Sequence, residues 1–196
     1  VKECWDVTGK GPIGTRLEHT NKGDELNPDY RSRWGAQELN VSKREDLFAA
    51  TPPLEAKKAL MSMAVTEGIG YRRGKRIKGK KLDFIDVKRA YFHAKAVRDV
   101  HVDLAEQDSC PGMCGKLGYA VCGTRDPAQN WEREHGATFK SLGFAQGASS
   151  PRSFYHAARD IRTVVHGKHC RRMGAGVWHQ ARMGVLAVRV SAVQDV

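Results

Sequence analysis

An aspartate stands near the end of the short apolar run Leu82-Asp-Phe-Ile-Asp-Val87. A carboxylate there is costly unless it is exposed, paired or bound to a cation. Strand alternation puts Leu82, Phe84 and Asp86 on one face, with Asp83, Ile85 and Val87 on the other. Just upstream, Tyr71-Arg-Arg-Gly-Lys-Arg-Ile-Lys-Gly-Lys-Lys81 carries seven basic residues and no acid. Arg72, Arg73, Lys75, Arg76, Lys78, Lys80 and Lys81 therefore form either a solvated loop or hairpin tip, or a set of phosphate-backbone contacts. A third candidate is Cys110-Pro-Gly-Met-Cys114, half of a zinc-knuckle spacing that His101 or Cys122 could complete. Zinc sites usually bring two tight cysteine pairs, and the second is missing, so free or buried thiols are expected instead. The five cysteines, Cys4, Cys110, Cys114, Cys122 and Cys170, are odd in number and irregular in spacing, which argues against a disulfide framework.

The elements that must position these groups are partly readable. Residues 1 to 50 are polar and broken by glycine and proline, which predicts looped or extended structure. Thr51-Pro52-Pro53-Leu54-Glu55 opens a helix, with Thr51 able to cap it and Glu55 favourable to its dipole. Leu54, Leu60, Met61, Ala64 and Val65 then give an apolar stripe expected to face the core, and Gly68 and Gly70 end the helix. Residues 82–87 read as a strand and Lys88 to Lys95 as helical. A further helix opens at Asp126-Pro127, with Gln129 placed for a capping box, and carries Trp131, Phe139 and Leu142. Ile161-Arg-Thr-Val-Val-His166 is a second strand. Beyond Cys170 no convincing period remains, and there are no internal repeats.

Composition narrows the partner. The 196 residues hold 33 Lys+Arg against 22 Asp+Glu, a formal charge of +11, with a pI near 9.6. That balance favours a polyanion, nucleic acid before an acidic membrane. An apolar share of 40% is too high for a disordered tail and too low for a membrane protein. No apolar run approaches the roughly 20 residues of a spanning helix. The chain starts at Val1 without a leader pattern, so it reads as an intracellular fragment, cytoplasmic or nuclear, of a longer product.

Asp86-Val-Lys-Arg-Ala-Tyr-Phe92 resembles the first palm motif of reverse transcriptases, an aspartate at a strand end followed by Val-x-x-Ala-Tyr/Phe-Phe. The wider pattern is similar to the copia-type long-terminal-repeat retrotransposon polymerases, which are part of a Pol polyprotein. Asn21-Lys-Gly-Asp24 through Tyr30-Arg-Ser-Arg-Trp-Gly-Ala-Gln-Glu-Leu-Asn40 resembles their fingers segment. Phe48-Ala-Ala-Thr-Pro-Pro-Leu-Glu-Ala56 resembles the lead into the fingers helix. Tyr119 through Gly123-Thr-Arg-Asp-Pro-Ala-Gln-Asn-Trp131 resembles the Tyr-Gly-Leu-Lys-Gln-Ala-Pro-Arg-Ala-Trp segment. Leu142-Gly-Phe144 and Ser153-Phe-Tyr155 fit the landmarks that follow. The stretches are collinear and run from about residue 15 to 167.

The resemblance implies an α+β fold, an incomplete right hand of fingers and palm, with an antiparallel palm sheet and helices on one face. It implies strands near 82–87 and 161–166 as antiparallel neighbours, with Asp86 beside the turn after His166. Its chemistry is template-directed DNA synthesis on an RNA template/DNA primer duplex, in which two Mg²⁺ ions clamp the attacking and leaving oxygens of a deoxynucleotide. Hard cations need oxygen ligands, and Asp86 matches the first family carboxylate. By the same resemblance, Val87 to Ala90 lie near the triphosphate, and Tyr91 takes the steric-gate position. Arg31 and Arg33 match fingers positions that hold the triphosphate, a use suited to guanidinium forks.

The chain departs from the pattern at the second metal element. Val164-Val165-His166-Gly167 matches the approach, but Lys168 and His169 replace the adjacent Asp pair. A lysine repels Mg²⁺ and an imidazole is a poor substitute for a carboxylate. Residues 1–170 are thus read as a fingers and palm fragment and 171–196 as a degenerate tail, through a frame slip, intron read-through or decay. Trp34-Gly35 and Pro127 are lesser departures. The expected activity is defective, with a non-catalytic, basic nucleic-acid-binding remnant or an unrelated basic protein as the alternatives.

Overall fold

The computed structural model describes residues 1–39, 47, 49–66, 68–69, 71–76, 80–87, 89–166 and 184–190. The helices are α1 (Lys2–Thr8), α2 (Leu54–Val65) and α3 (Pro127–Ser141). The early strands are β1 (Thr15–Asn21), β2 (Tyr30–Ala36), β3 (Tyr71–Arg72), β4 (Lys75–Arg76) and β5 (Lys80–Asp86). The later ones are β6 (His101–Val102), β7 (Gly115–Lys116), β8 (Ala145–Gln146), β9 (Ser153–His156), β10 (Ile161–His166) and β11 (Gly184–Val190). All named strand pairs are antiparallel, so the fold class is α+β. Two compact units divide the chain: Val1–Leu47 with Tyr91–Trp131, and Phe48–Ala90 with Glu132–Val196.

In the first unit, β1 and β2 form a hairpin over seven register pairs, from Thr15↔Ala36 to Asn21↔Tyr30. Side chains build its connection. Asn21 Oδ1 accepts from the N–H groups of Gly23 and Asp29, and Asp24 Oδ1 accepts from those of Leu26 and Asn27. Short polar side chains of this kind replace backbone partners in turns, which is why a glycine- and proline-broken segment still makes regular strands. The core here is Ala36, Val100 and Val102, with Ile13, Trp34 and Leu117 packed against it.

His101, between Val100 and Val102 in sequence, is also buried, with 5% exposure, and neither ring nitrogen has a hydrogen-bond partner. Among the described residues no three His, Cys, Asp or Glu side chains come together as a metal group, so the zinc-knuckle option finds no support there. Leaving a buried donor and acceptor unmet costs free energy that an apolar side chain of similar size avoids. His101→Leu should therefore stabilise the protein by about 1 kcal/mol. An unchanged or lower urea midpoint would show that the imidazole has a partner after all.

The second unit is organised by one sheet with the order β5-β11-β10-β9-β8. β5 and β10 are thus not neighbours, contrary to the sequence expectation. β11 lies between them and pairs antiparallel with both, which makes β5 and β10 parallel to each other. β11 also falls in the stretch after Cys170 where no period was legible. Helix α2 packs against β5, β10 and β11.

Only part of the expected stripe of α2 is covered, and Ala64 within it is half-buried. Leu60 is in the core, while Leu54, Met61 and Val65 are exposed. Pro53 rather than Thr51 is the N-cap, without a side-chain cap bond, and the helix ends at Val65 before Gly68 is reached. The expected helix from Lys88 to Lys95 is a single 3-10 turn, Ala90–His93, in the described residues. Helix α3 begins as predicted, with Pro127 at its first position, where no N–H is needed. Farther on, Phe139 stacks on Phe154 at 4.7 Å, and Phe144 meets Phe139 edge-on at 5.1 Å. Rings paired in these ways join the end of α3 to β9.

Candidate functional site

Asp86 is the last residue of β5, as the strand-end motif requires. Its cross-strand partner is Gly184 of β11, and the other partner of Gly184 is His166 of β10. Asp86, Gly184 and His166 thus share one row at one end of the sheet. Two strand spacings separate the outer members, about 10 Å between backbones. β10 therefore delivers the chain to Lys168 and His169 from the end of the sheet at which Asp86 sits; those two residues lie outside the described ones.

Val87 follows, half-buried, and Ala90 is buried at the start of the 3-10 turn. Tyr91 is 5% exposed, so its ring is buried, while Phe92 beside it is 44% exposed. A ring that gates a ribose must present a face to it. The burial of Tyr91 fits the packing role of an aromatic better than the gate role.

The basic segment is a hairpin. β3 and β4 pair as Tyr71↔Arg76 and Arg72↔Lys75, leaving Arg73 and Gly74 as a two-residue turn. Both have positive φ, 51° and 72°, the pattern of a type I′ turn whose twist matches its strands. Arg72, Arg73 and Lys75 are exposed. Arg76 closes the hairpin, Lys78 lies outside the described residues, and Lys80 and Lys81 open β5. Opposite Lys81 in β11 stands Arg189, a basic residue the segment reading missed because it is far away in sequence.

Arg31 and Arg33 belong to the first unit, on β2, two residues apart and so on one face of the hairpin. Arg31 is exposed and Arg33 half-buried. Their Cα partners are Thr20 and Glu18, and Glu18 is itself held by Arg16 at 3.2 Å. Asp86 and the basic hairpin belong to the second unit.

A polar network in the first unit was not foreseen. Arg98 donates from both terminal nitrogens to Glu38, at 3.0 and 2.9 Å, and to Asp126 Oδ1 at 2.8 Å. The Arg125 N–H donates to Glu38 Oε2 at 2.7 Å, and Asn130 Nδ2 to Asp126 Oδ2 at 3.0 Å. The forked guanidinium ties the chain after β2 to the start of α3. No local spacing could have revealed it, since Glu38 and Asp126 are joined only by the fold.

Burial would push the Asp126 carboxyl up, but the hydrogen bond and charge of Arg98, with the Asn130 bond, hold it below the usual range. The hydrogen bonds to Asp126 and Glu38 raise Arg98 further. A depressed folded-state value means stabilisation that is complete above the ordinary carboxylate pKa of about 3.9 and is lost as pH falls through the depressed one. Urea midpoints should therefore fall as the medium is acidified below about pH 4. Asp126→Asn should flatten that part of the profile, and an unaltered acid limb in this variant would remove Asp126 as its source.

In the second unit, Glu132 Oε2 accepts from the Ala50 N–H at 2.8 Å and from Arg152 at 3.3 Å, with Arg152 only 2% exposed. No helix among the described residues is long and apolar enough to cross a membrane. No family model, curated protein or solved structure matches this chain.

Proposed function

We propose that the chain is a fingers and palm portion of a retrotransposon-type reverse transcriptase that binds nucleic acid but does not transfer nucleotides. The observation that carries this reading is the row Asp86–Gly184–His166. The motif aspartate and the strand leading to the altered second metal element lie at the same end of one antiparallel sheet, with β11 between them, and this proximity is what favours a palm. β11 as the intervening strand gives β10 a partner after its connection and keeps Asp86 within about two strand spacings of it.

The donor set does not fit a pair of Mg²⁺ ions. The sequence offers one carboxylate at this end, Asp86, and a lysine and an imidazole where two further carboxylates are needed. Two-metal nucleotidyl transfer therefore lies outside the chemistry that these residues supply.

The exposed basic hairpin favours the binding half of the proposal. Arg73 stands in the two-residue turn and Arg72 and Lys75 flank it on the paired strands, all three exposed, with Arg76 at the base of the hairpin. Neutralising each phosphate releases counterions, so affinity for a primer–template duplex should fall steeply with salt and discriminate little by sequence. Replacing Arg72, Arg73, Lys75 and Arg76 by serine should reduce the log–log salt slope by roughly 0.9 for each phosphate no longer neutralised, or about 3 to 4 in all. An unchanged slope in that variant would make the hairpin a solvated tip and leave the nucleic-acid reading without its surface.

A further inference from the structure

The loop before β7 carries three sulfur atoms for which the proposed function has no use. Cys110, Met113 and Cys114 lie within five residues. Pro111 and Gly112 form the middle of a turn closed by the Met113 N–H, which donates to the Cys110 carbonyl at 3.1 Å. Gly112 has φ 76°, so proline followed by a left-handed glycine makes this a type II turn. Such a turn brings its first and fourth Cα atoms within about 7 Å, which places Cys110 beside Met113, with Cys114 as the next residue along the chain. Cys110 and Met113 are exposed, Cys114 is half-buried, and both thiols are free.

We propose that this turn binds one Cu(I) ion through the thiolates of Cys110 and Cys114 and the thioether of Met113. Thiolate and thioether are soft donors that select Cu(I). Zinc would want four ligands, and among the described residues no further His, Cys, Asp or Glu joins the two cysteines in a metal group. Met113 is a donor that counts for copper and not for zinc. The binding step involves no redox change: the ion enters and stays as Cu(I), two thiolate–copper bonds form, and each thiol gives its proton to solvent. Affinity therefore rises with pH.

The test uses the whole reduced chain under anaerobic conditions, with Cu(I) supplied as its coloured bicinchoninate complex. The parent should withdraw one equivalent and bleach the complex. Cys110→Ser and Cys114→Ser should each weaken binding by at least the roughly 10–100-fold that loss of even an outer-shell partner costs a metal site. Met113→Leu should weaken it less and keep the one-to-one stoichiometry. The turn residues Pro111 and Gly112 are untouched, so the variants should keep the circular dichroism of the parent. Failure of the parent to compete overturns the proposal, as does parent-like binding by the double variant Cys110→Ser with Cys114→Ser. Zn(II) withdrawn from a colorimetric indicator as tightly as Cu(I) would also overturn it.

Discussion

Gly123→Ala should unfold the first unit. Gly123 has φ 92°, and a Cβ there would lie 1.8 Å from the Ala36 carbonyl oxygen and 2.8 Å from its carbon. The obstacle is backbone, so no rotamer change relieves it. The two segments are also locked on either side of the contact: the Ala36 N–H donates to the Cys122 carbonyl at 2.9 Å, and the Glu38 N–H to that of Gly123 at 3.0 Å. Accepting a methyl group means breaking this pairing and pulling Glu38 away from Arg98. A loss above about 4 kcal/mol is expected, a large share of the roughly 5–15 kcal/mol that holds a domain folded. Gly118→Ala is the matched control, because a Cβ there meets nothing within 4 Å and should change stability by no more than about 0.5 kcal/mol. Urea denaturation followed by tryptophan emission separates the two, and equal midpoints would mean that residues 36 and 123 do not approach as described.

The second large effect is on catalysis. The unaltered chain should extend no primer in the presence of Mg²⁺ and deoxynucleotides, because on the proposed reading the sequence has Lys168 and His169 in place of an Asp pair, and a lysine repels a cation. Lys168→Asp with His169→Asp should be necessary for any extension, and Asp86→Asn in that background should abolish it. The comparison needs four proteins: the parent, the parent carrying Asp86→Asn, the double reversion joined to a family-like thumb, and that chain carrying Asp86→Asn. Extension by the parent that survives Asp86→Asn would sink the metal-site argument. Activity confined to the restored chain would identify Asp86 as the remaining ligand of a broken site.

Local signals were legible and long-range ones were not. The strand at 161–166, the end of β5 at Asp86 and the start of α3 at Pro127 follow from runs of a few residues, and each stands where its pattern put it. Helix α2 was found, but its stripe was read too wide: Leu54, Met61 and Val65 satisfy a helical period alongside Leu60 and Ala64, and only the fold decides that Leu60 is buried while those three are exposed. Arg98, Glu38 and Asp126 carried no signal because charged residues are ordinary on any surface. β11 was hidden for a different reason. Gly184-Val-Leu-Ala-Val-Arg-Val190 lacks the two-residue alternation of a half-buried strand, and its neighbours carry no family pattern. Of the candidate site, the strand-end aspartate and the basic hairpin were readable. The burial of Tyr91 was not, since an aromatic beside another aromatic gives no indication of which one faces inward.

The position of β11 has a consequence for the order in which the molecule can assemble. Among the described strands, the last in sequence is an inner strand in space, and β5 is joined to the others through it. As the chain is synthesised from its N-terminus, β5 emerges some hundred residues before the strand it must pair with. Until then its hydrogen-bonding edges have no permanent partner, and such edges invite pairing with other chains. Lys80, Lys81, Asp83 and Asp86 distribute charge along β5 and make that waiting strand a poor template for self-association. β5 thus joins the sheet late, through a strand that is made after the ones it unites.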